Sequence, residues 1–177
     1  MTPYRRNKGF GLVEMLLALM IMGMLLTAIA AAIHASLRSY DQNNNLADVC
    51  QAGRSVLSRI SYDIRTADAV KLDDPSYRLT LIRPPDAAGV VKRIQYDFVN
   101  GLLYYRVIVN GTATINEVIM GTSNDVGVTA FSKSIVSGLN DEGLTCAKAV
   151  TVRLSMLQDN QAESMTISAS PRRNQSL

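Results

Sequence analysis

The sequence has few of the side chains on which enzyme chemistry commonly depends. It contains one histidine, two cysteines and no tryptophan. The histidine, His34, lies at the end of a long apolar run, and the sequence has neither a Gly-x-Ser-x-Gly motif nor a zinc-binding motif. Cys50 and Cys146 lie too far apart in the sequence for the usual spacing of metal ligands. We therefore predict that the chain is not an enzyme and holds no metal or cofactor.

The sequence also lacks an excess of positive charge outside its first few residues. Its formal net charge is +3, from 18 basic and 15 acidic residues. Arg5, Arg6 and Lys8 account for three of the basic residues, and the others equal the acidic residues in number. A neutral body does not attract the phosphates of nucleic acids strongly. The charge distribution therefore argues against nucleic acid as a partner of the main part of the chain.

Proline and charge are both absent from a long stretch near the start. No proline occurs between Phe10 and Asp74, and residues 15–33 carry no formal charge and are nearly all apolar. That length is close to the roughly 20 apolar residues that a helix needs to cross a membrane. The basic residues before it predict that the N-terminus stays in the cytoplasm. We expect three segments, which are a basic leader (1–9), a membrane helix (10–35) and a head outside the cytoplasm (36–177).

One carboxylate, Glu14, lies immediately before this apolar run. A charged group near the membrane interior costs a few kcal/mol, so such residues usually have a function. No basic residue lies one helical turn from Glu14, and a cation partner must therefore come from another subunit. A protonated acid, or one that reaches to the membrane surface, is the alternative. The residues alone leave both interpretations open.

The residues GFGLVE, followed by the apolar helix, resemble the N-terminal signal of type IV pilins and type II secretion pseudopilins. In that family a prepilin peptidase cuts after the glycine and leaves the apolar segment on the mature protein. The resemblance implies cleavage between Gly9 and Phe10, N-methylation of Phe10, and a role for Glu14 in subunit assembly. The implied partners are the prepilin peptidase, other pilins that contact the N-terminal helix, and the bacterial inner membrane before assembly into a filament.

Residues 46–70 resemble the second half of the long helix in W-type minor pilins and J-type minor pseudopilins. Asp63, Ile64, Arg65 and Ala67 match the Asp-apolar-Arg-x-Ala ending of that helix. The resemblance implies a minor structural subunit with a periplasmic head, which acts in filament initiation or at the filament tip. The alternatives are a competence pseudopilin that takes part in DNA uptake, and an uncleaved, signal-anchored binding module outside the cytoplasm.

The helix is expected to continue beyond the membrane to about Val70. The polar residues 41–45 predict either a break or a solvated turn within a continuous helix. Arg59 and Asp63 have the spacing of an ion pair on one helix. Apolar and small residues recur at intervals of three and four and predict one buried face, made of Leu46, Val49, Cys50, Gly53, Leu57, Ile60, Ile64 and Ala67.

Alternating apolar residues after Pro75 indicate β-strands. Asn100-Gly101 and Asn110-Gly111 predict tight hairpin turns. The sequence therefore predicts an α+β fold, in which a long N-terminal helix packs on an antiparallel sheet, as in pilins. The expected strands cover residues 78–83, 90–99, 102–109, 112–120, 148–157 and 164–170.

The loops and cysteines give weaker predictions. Residues 121–127 and 137–143 are rich in turn-forming residues, and we expect solvated turns there. Asp125, Asp141 and Glu142 could supply oxygen ligands for calcium, but they lack EF-hand spacing. Cys50 lies on the packing face of the helix and Cys146 begins a late strand. A disulfide is permitted outside the cytoplasm, and the sequence leaves it open against two buried free thiols.

Overall fold

The computed structural model describes residues 11–121, 126–140, 142–159 and 161–172. The chain forms two separate units, Met1–Asn43 and Asn44–Leu177, and we call the second unit the head. The elements in chain order are α1 (Leu12–Thr66), β1 (Ala69–Val70), β2 (Arg78–Ile82), β3 (Lys92–Val99), β4 (Leu102–Val109), β5 (Thr112–Met120), β6 (Gly127–Leu139), β7 (Thr145–Gln158) and β8 (Gln161–Ala169).

Helix α1 runs without interruption through residues 41–45. The first of the two predictions for this Asn-rich stretch, a break in the helix, is therefore wrong. The other reading, a solvated turn of a continuous helix, is correct. Each Asn or Asp costs less than about 0.7 kcal/mol in a helix interior, which a long helix tolerates because each added residue gains a hydrogen bond. The helix ends at Thr66, four residues before the predicted end, and the Thr66 hydroxyl donates to the carbonyl oxygen of Tyr62 at 2.9 Å.

The strands of the head form two antiparallel sheets rather than one. The first sheet has the order β1-β2-β3-β4-β5 and the second has the order β6-β7-β8. Both predicted Asn-Gly turns are present, and Asn100 and Asn110 adopt positive φ values of 52° and 51°, as a tight hairpin turn requires. The predicted α+β, pilin-like architecture is confirmed.

Strand β6 is the main element that the sequence analysis did not predict. Its register against β7 shifts between Val128 and Ala130 and again between Val136 and Ser137. Each shift moves the following side chains to the other face of the sheet, so residues 127–139 show no steady alternation. Residues 137–139 were expected to be a loop and are instead the end of this strand.

One apolar core joins the head segment of α1 to both sheets. The predicted helix face is largely correct, because Val49, Gly53, Leu57, Ile60 and Ile64 are buried, although Leu46 and Cys50 are only half-buried. The core side chains with 0% exposure outside the helix are Leu79, Leu81, Tyr96, Leu103, Val150, Val152, Leu154 and Met156.

Gly53 lets α1 approach the second sheet closely. A Cβ atom at this position would lie within 3.0 Å of atoms of Met156 and Met165. We expect Gly53→Val to lower the free energy of unfolding by about 2 kcal/mol, because two extra methyl groups overfill this contact. Gly53→Ala is the matched control and should change it by less than about 1 kcal/mol, since a flexible methionine can move and alanine favours the helix. Urea unfolding followed by circular dichroism measures both. Equal stability of Gly53→Val and the wild type would contradict the close packing.

Candidate functional site

Glu14 lies in the first turn of α1. The carbonyl oxygen of Gly11 accepts hydrogen bonds from the amides of Glu14 at 3.0 Å and Met15 at 3.2 Å, and these bonds start the helix. A carboxylate in the first turn is favoured by the partial positive charge at a helix N-terminus, by up to about 1 kcal/mol at a surface. Within the described residues no basic side chain forms an ion pair with Glu14.

The helix that follows Glu14 is apolar on all sides. Every residue from 11 to 43 is exposed, and Leu12 reaches 78% exposure. This segment contains the one candidate membrane span found among the described residues. A large, fully exposed apolar surface marks a site of contact with lipid or with other proteins. The surface therefore requires a membrane or neighbouring helices to cover it.

A buried carboxylate, Asp63, joins the end of α1 to the first sheet. Its side chain accepts a hydrogen bond from the Arg83 guanidinium at 2.6 Å and another from the Tyr96 hydroxyl at 2.6 Å. Burial, followed by the hydrogen bond to Asp63, raises the pKa of Tyr96 above its ordinary value of 10.0. The phenol therefore remains a donor. Asp63 has two strong partners, which are Arg83 from the segment after β2 and Tyr96 from β3.

Arg59 extends this contact along the helix. Its guanidinium lies 3.9 Å from the centre of the Tyr105 ring, and the Tyr105 ring lies 5.5 Å from that of Tyr96. The predicted ion pair between Arg59 and Asp63 is wrong, because Asp63 points into the head and Arg59 stacks on an aromatic ring. Cation–π contacts contribute about 0.5–2 kcal/mol. The position of the helix end on the first sheet is therefore fixed by five side chains, which are Arg59, Asp63, Arg83, Tyr96 and Tyr105.

A second buried carboxylate, Asp97, lies on the opposite face of the same sheet. Arg78 donates to it at 3.0 Å and 3.2 Å, and Arg106 donates at 2.8 Å. The carboxyl side chain is only 1% exposed, so two cations compensate one buried anion. This cluster ties β2, β3 and β4 together and has the geometry of a structural ion pair.

Comparison with known proteins covers both units. The family model for the prokaryotic N-terminal methylation motif matches residues 4–30. The fold is similar to that of a type IV-like pilin from Thermus thermophilus, with a TM-score of 0.53 and 15% sequence identity over 73% of this chain and 98% of that chain. The chain therefore combines a prokaryotic N-terminal methylation motif with a pilin-like fold. A comparison with curated protein sequences gives no match.

The resemblance predicted from the sequence is thus confirmed in both units. The methylation motif includes Gly9, Phe10 and Glu14, and the pilin fold accounts for the head. Gly9 and Phe10 themselves lie outside the described residues.

The disulfide that the sequence left open is not formed, because Cys50 and Cys146 are both free thiols. Cys50 of α1 lies near one end of β7, whereas Cys146 belongs to the other end of that strand. The helix near Cys50 packs on Met156, whereas Cys146 is ten residues earlier in the same strand, a distance of about 33 Å in an extended chain. Cys146 is buried, and its thiol contacts the carbonyl oxygen of Gly138 at 3.3 Å. Cys50 is half-buried and so is not the second buried thiol that the alternative assumed.

Only one of the three residues that could supply calcium ligands lies in the described part of the chain. Asp125 and Asp141 lie outside that part of the chain. Glu142 is exposed, and its amide donates to the Asn140 side chain at 3.0 Å, which is a turn-forming contact. No group of three potential metal-binding side chains occurs within residues 11–121, 126–140, 142–159 and 161–172.

Sequence analysis missed the role of Asp63, although one signal pointed to it. Ile60, Asp63, Ile64 and Ala67 follow the intervals of three and four that define the buried face. A carboxylate within such a face must have a partner, because a buried unpaired charge is costly. The partners Arg83 and Tyr96 lie 20 and 33 residues later in the chain, and no local pattern identifies them.

Proposed function

We propose that this chain is a minor pilin or pseudopilin, a structural subunit of a type IV pilus or a type II secretion filament. Prepilin peptidase cuts it between Gly9 and Phe10, and Phe10 is then N-methylated. Before assembly residues 10–35 span the inner membrane, with the N-terminus in the cytoplasm and the head, residues 36–177, in the periplasm. The subunit then enters the filament and acts in its initiation or at its tip.

One combination of features carries this proposal. The methylation motif at residues 4–30 includes the start of an apolar helix that no part of the described chain covers, and a pilin-like head follows. Each feature alone has a simpler explanation, such as a signal anchor or an α+β binding domain. Together they fit a subunit that is stored in a membrane and then transferred to a bundle of similar helices.

Glu14 has a chemical role in this transfer. Cleavage at Gly9 creates an α-ammonium group on Phe10, and methylation leaves that amine able to carry its positive charge. Two unit charges 4 Å apart interact by about 4 kcal/mol at an intermediate effective dielectric, and desolvation offsets part of this gain. The pair of Glu14 with a neighbouring N-terminus therefore fixes the register between subunits more than it adds net stability.

The test of the proposal is the mass of the intact chain before and after exposure to prepilin peptidase in membranes. We expect the loss of a fragment that corresponds to residues 1–9 and, in cells, the further mass of one methyl group. Gly9→Val should abolish the cleavage, because a side chain at this position blocks access to the peptide bond. A mature protein that retains its initiator methionine and basic leader would contradict the proposed function.

A further inference from the structure

Among the described residues the two sheets end in four outer strands, and three of these carry features that discourage pairing with another chain. Strand β1 is only two residues long. The pairing of β5 with β4 and of β6 with β7 is irregular, with two register shifts in each pair. Short strands and bulges are the usual means by which proteins protect a sheet edge.

Strand β8 is the exception. It pairs with β7 in nine consecutive residue pairs, from Val150–Ala169 to Gln158–Gln161, without any shift. It contains no proline, lysine or arginine, and Glu163 is its one charged residue. In the described part of the chain β8 pairs with β7 alone. Alternate residues of β8 therefore direct their amide and carbonyl groups away from the sheet, in the arrangement that accepts an additional strand.

A groove of about 630 Å³ follows this free edge, between β8 and α1. Arg54 and Arg65 lie at its two ends on the helix side, and no acidic side chain lines it. Neither arginine forms an ion pair among the described residues. The helix side also presents Leu57, Ser58, Ser61 and Tyr62, and the strand side presents Met165, Thr166 and Ile167.

The spacing of the two arginines defines the ligand that fits. Eleven residues of helix separate them, which corresponds to about 16 Å along the helix axis. An extended strand covers that distance in about five residues. Side chains alternate between the two faces of a strand, so only carboxylates an even number of residues apart, about four or six, would both face Arg54 and Arg65.

We propose that the free edge of β8 binds an extended, acidic segment of another protein, which adds a strand to the second sheet. Backbone hydrogen bonds to β8 supply affinity, and the two arginines select carboxylates and set the register. A second copy of this chain fits less well, because its β8 brings one glutamate and its own arginines. The proposal deepens the proposed function, since it gives the chemistry of the segment that a pilin-like head would hold.

The experiment uses the full chain in detergent micelles and a short synthetic peptide that alternates threonine and valine, with two glutamates about six residues apart so that both lie on one face. We expect the peptide to bind and to slow hydrogen exchange of alternate amides in β8. A second peptide with lysines in place of the glutamates should bind at least about tenfold more weakly. A third peptide, in which alternate backbone amides are methylated, should not bind, because it cannot pair with a strand edge.

Two variants separate the charge effect from general damage. The double variant Arg54→Glu and Arg65→Glu should lose about tenfold or more in affinity for the glutamate peptide and gain affinity for the lysine peptide. Arg93→Glu, which changes an exposed arginine of β3 outside the groove, should bind both peptides as the wild type does. Equal binding of the glutamate and lysine peptides, unchanged exchange in β8, or self-association of the chain through β8 would overturn the proposal.

Cleavage by prepilin peptidase and binding of the glutamate peptide are measured separately, and the two results distinguish this proposal from the proposed function. If prepilin peptidase does not cut the chain but the peptide binds, the pilin assignment fails and the strand-addition site stands. If the chain is cut but the peptide does not bind, the reverse holds.

Discussion

Replacing Asp63 by alanine is expected to lower the free energy of unfolding of the head by about 3 kcal/mol. The carboxylate is 4% exposed and is held by Arg83 and Tyr96. Its removal leaves the buried Tyr96 hydroxyl without an acceptor and the Arg83 guanidinium without its counter-ion. Urea unfolding of the full chain in detergent micelles, followed by near-ultraviolet circular dichroism of the tyrosines, measures the change.

Two controls identify the cause of this loss. Asp63→Asn should cost less than Asp63→Ala, because the amide oxygen can still accept the hydrogen bond from Tyr96. Glu117→Ala should leave the unfolding midpoint unchanged, since Glu117 is an exposed carboxylate of β5. If Asp63→Ala and Glu117→Ala have the same stability, the contact between α1 and the first sheet does not depend on Asp63.

The pH dependence of stability reports on the same contact. The pKa of Tyr96 is raised in the folded head by burial and by Asp63, whereas an unfolded tyrosine ionises near its ordinary value of 10.0. Above about pH 10 the unfolded chain therefore loses this proton first, and the stability falls as the pH rises further. Tyr96→Phe should show a smaller fall over the same range.

Replacing Glu14 by alanine is expected to leave cleavage by prepilin peptidase largely intact and to lower incorporation into the filament by about tenfold or more. A tenfold change corresponds to about 1.4 kcal/mol, less than the Coulomb energy of one close pair before desolvation. The ratio of this subunit in sheared filaments to that in the inner membrane measures incorporation, and intact mass measures cleavage.

The design of this second test separates a loss of charge from a loss of packing. Glu14→Gln keeps the size and removes the charge, so it should resemble Glu14→Ala. Glu117→Ala changes an exposed carboxylate of β5 in the head and should assemble normally. Normal assembly of Glu14→Ala would show that the N-terminus of the neighbouring subunit does not need this carboxylate.

Sequence periodicity was sufficient to predict α1 and most of the strands, because each of these elements buries one regular face. It also predicted both Asn-Gly turns, where a single residue pair determines the local backbone. It failed at β6, where two register shifts interrupt the alternation, and it could not decide between a break and a continuous helix at residues 41–45, where the length of the helix outweighs poor local propensity. Local rules thus worked wherever local interactions decide the structure.

The candidate site likewise has one part that could be predicted from the sequence and another part that could not. The motif around Gly9 and Glu14 is contiguous, so it can be recognised from a short stretch of sequence. The partners of Asp63 and the groove along β8 depend on contacts between distant segments. The groove exists because β8 ends the second sheet beside the arginines of α1, and the order of the strands in that sheet is a property of the whole fold.

The two free thiols have a consequence for folding of this chain in an oxidising compartment. In the native head Cys146 is 1% exposed, whereas Cys50 is half-buried, so an oxidant can reach only one sulfur readily. If the head folds in an oxidising compartment, as the proposed function implies, the unfolded chain presents both sulfurs, which can then be joined to each other or to other proteins. Because the native positions are too far apart for that bond, premature oxidation would trap a misfolded subunit.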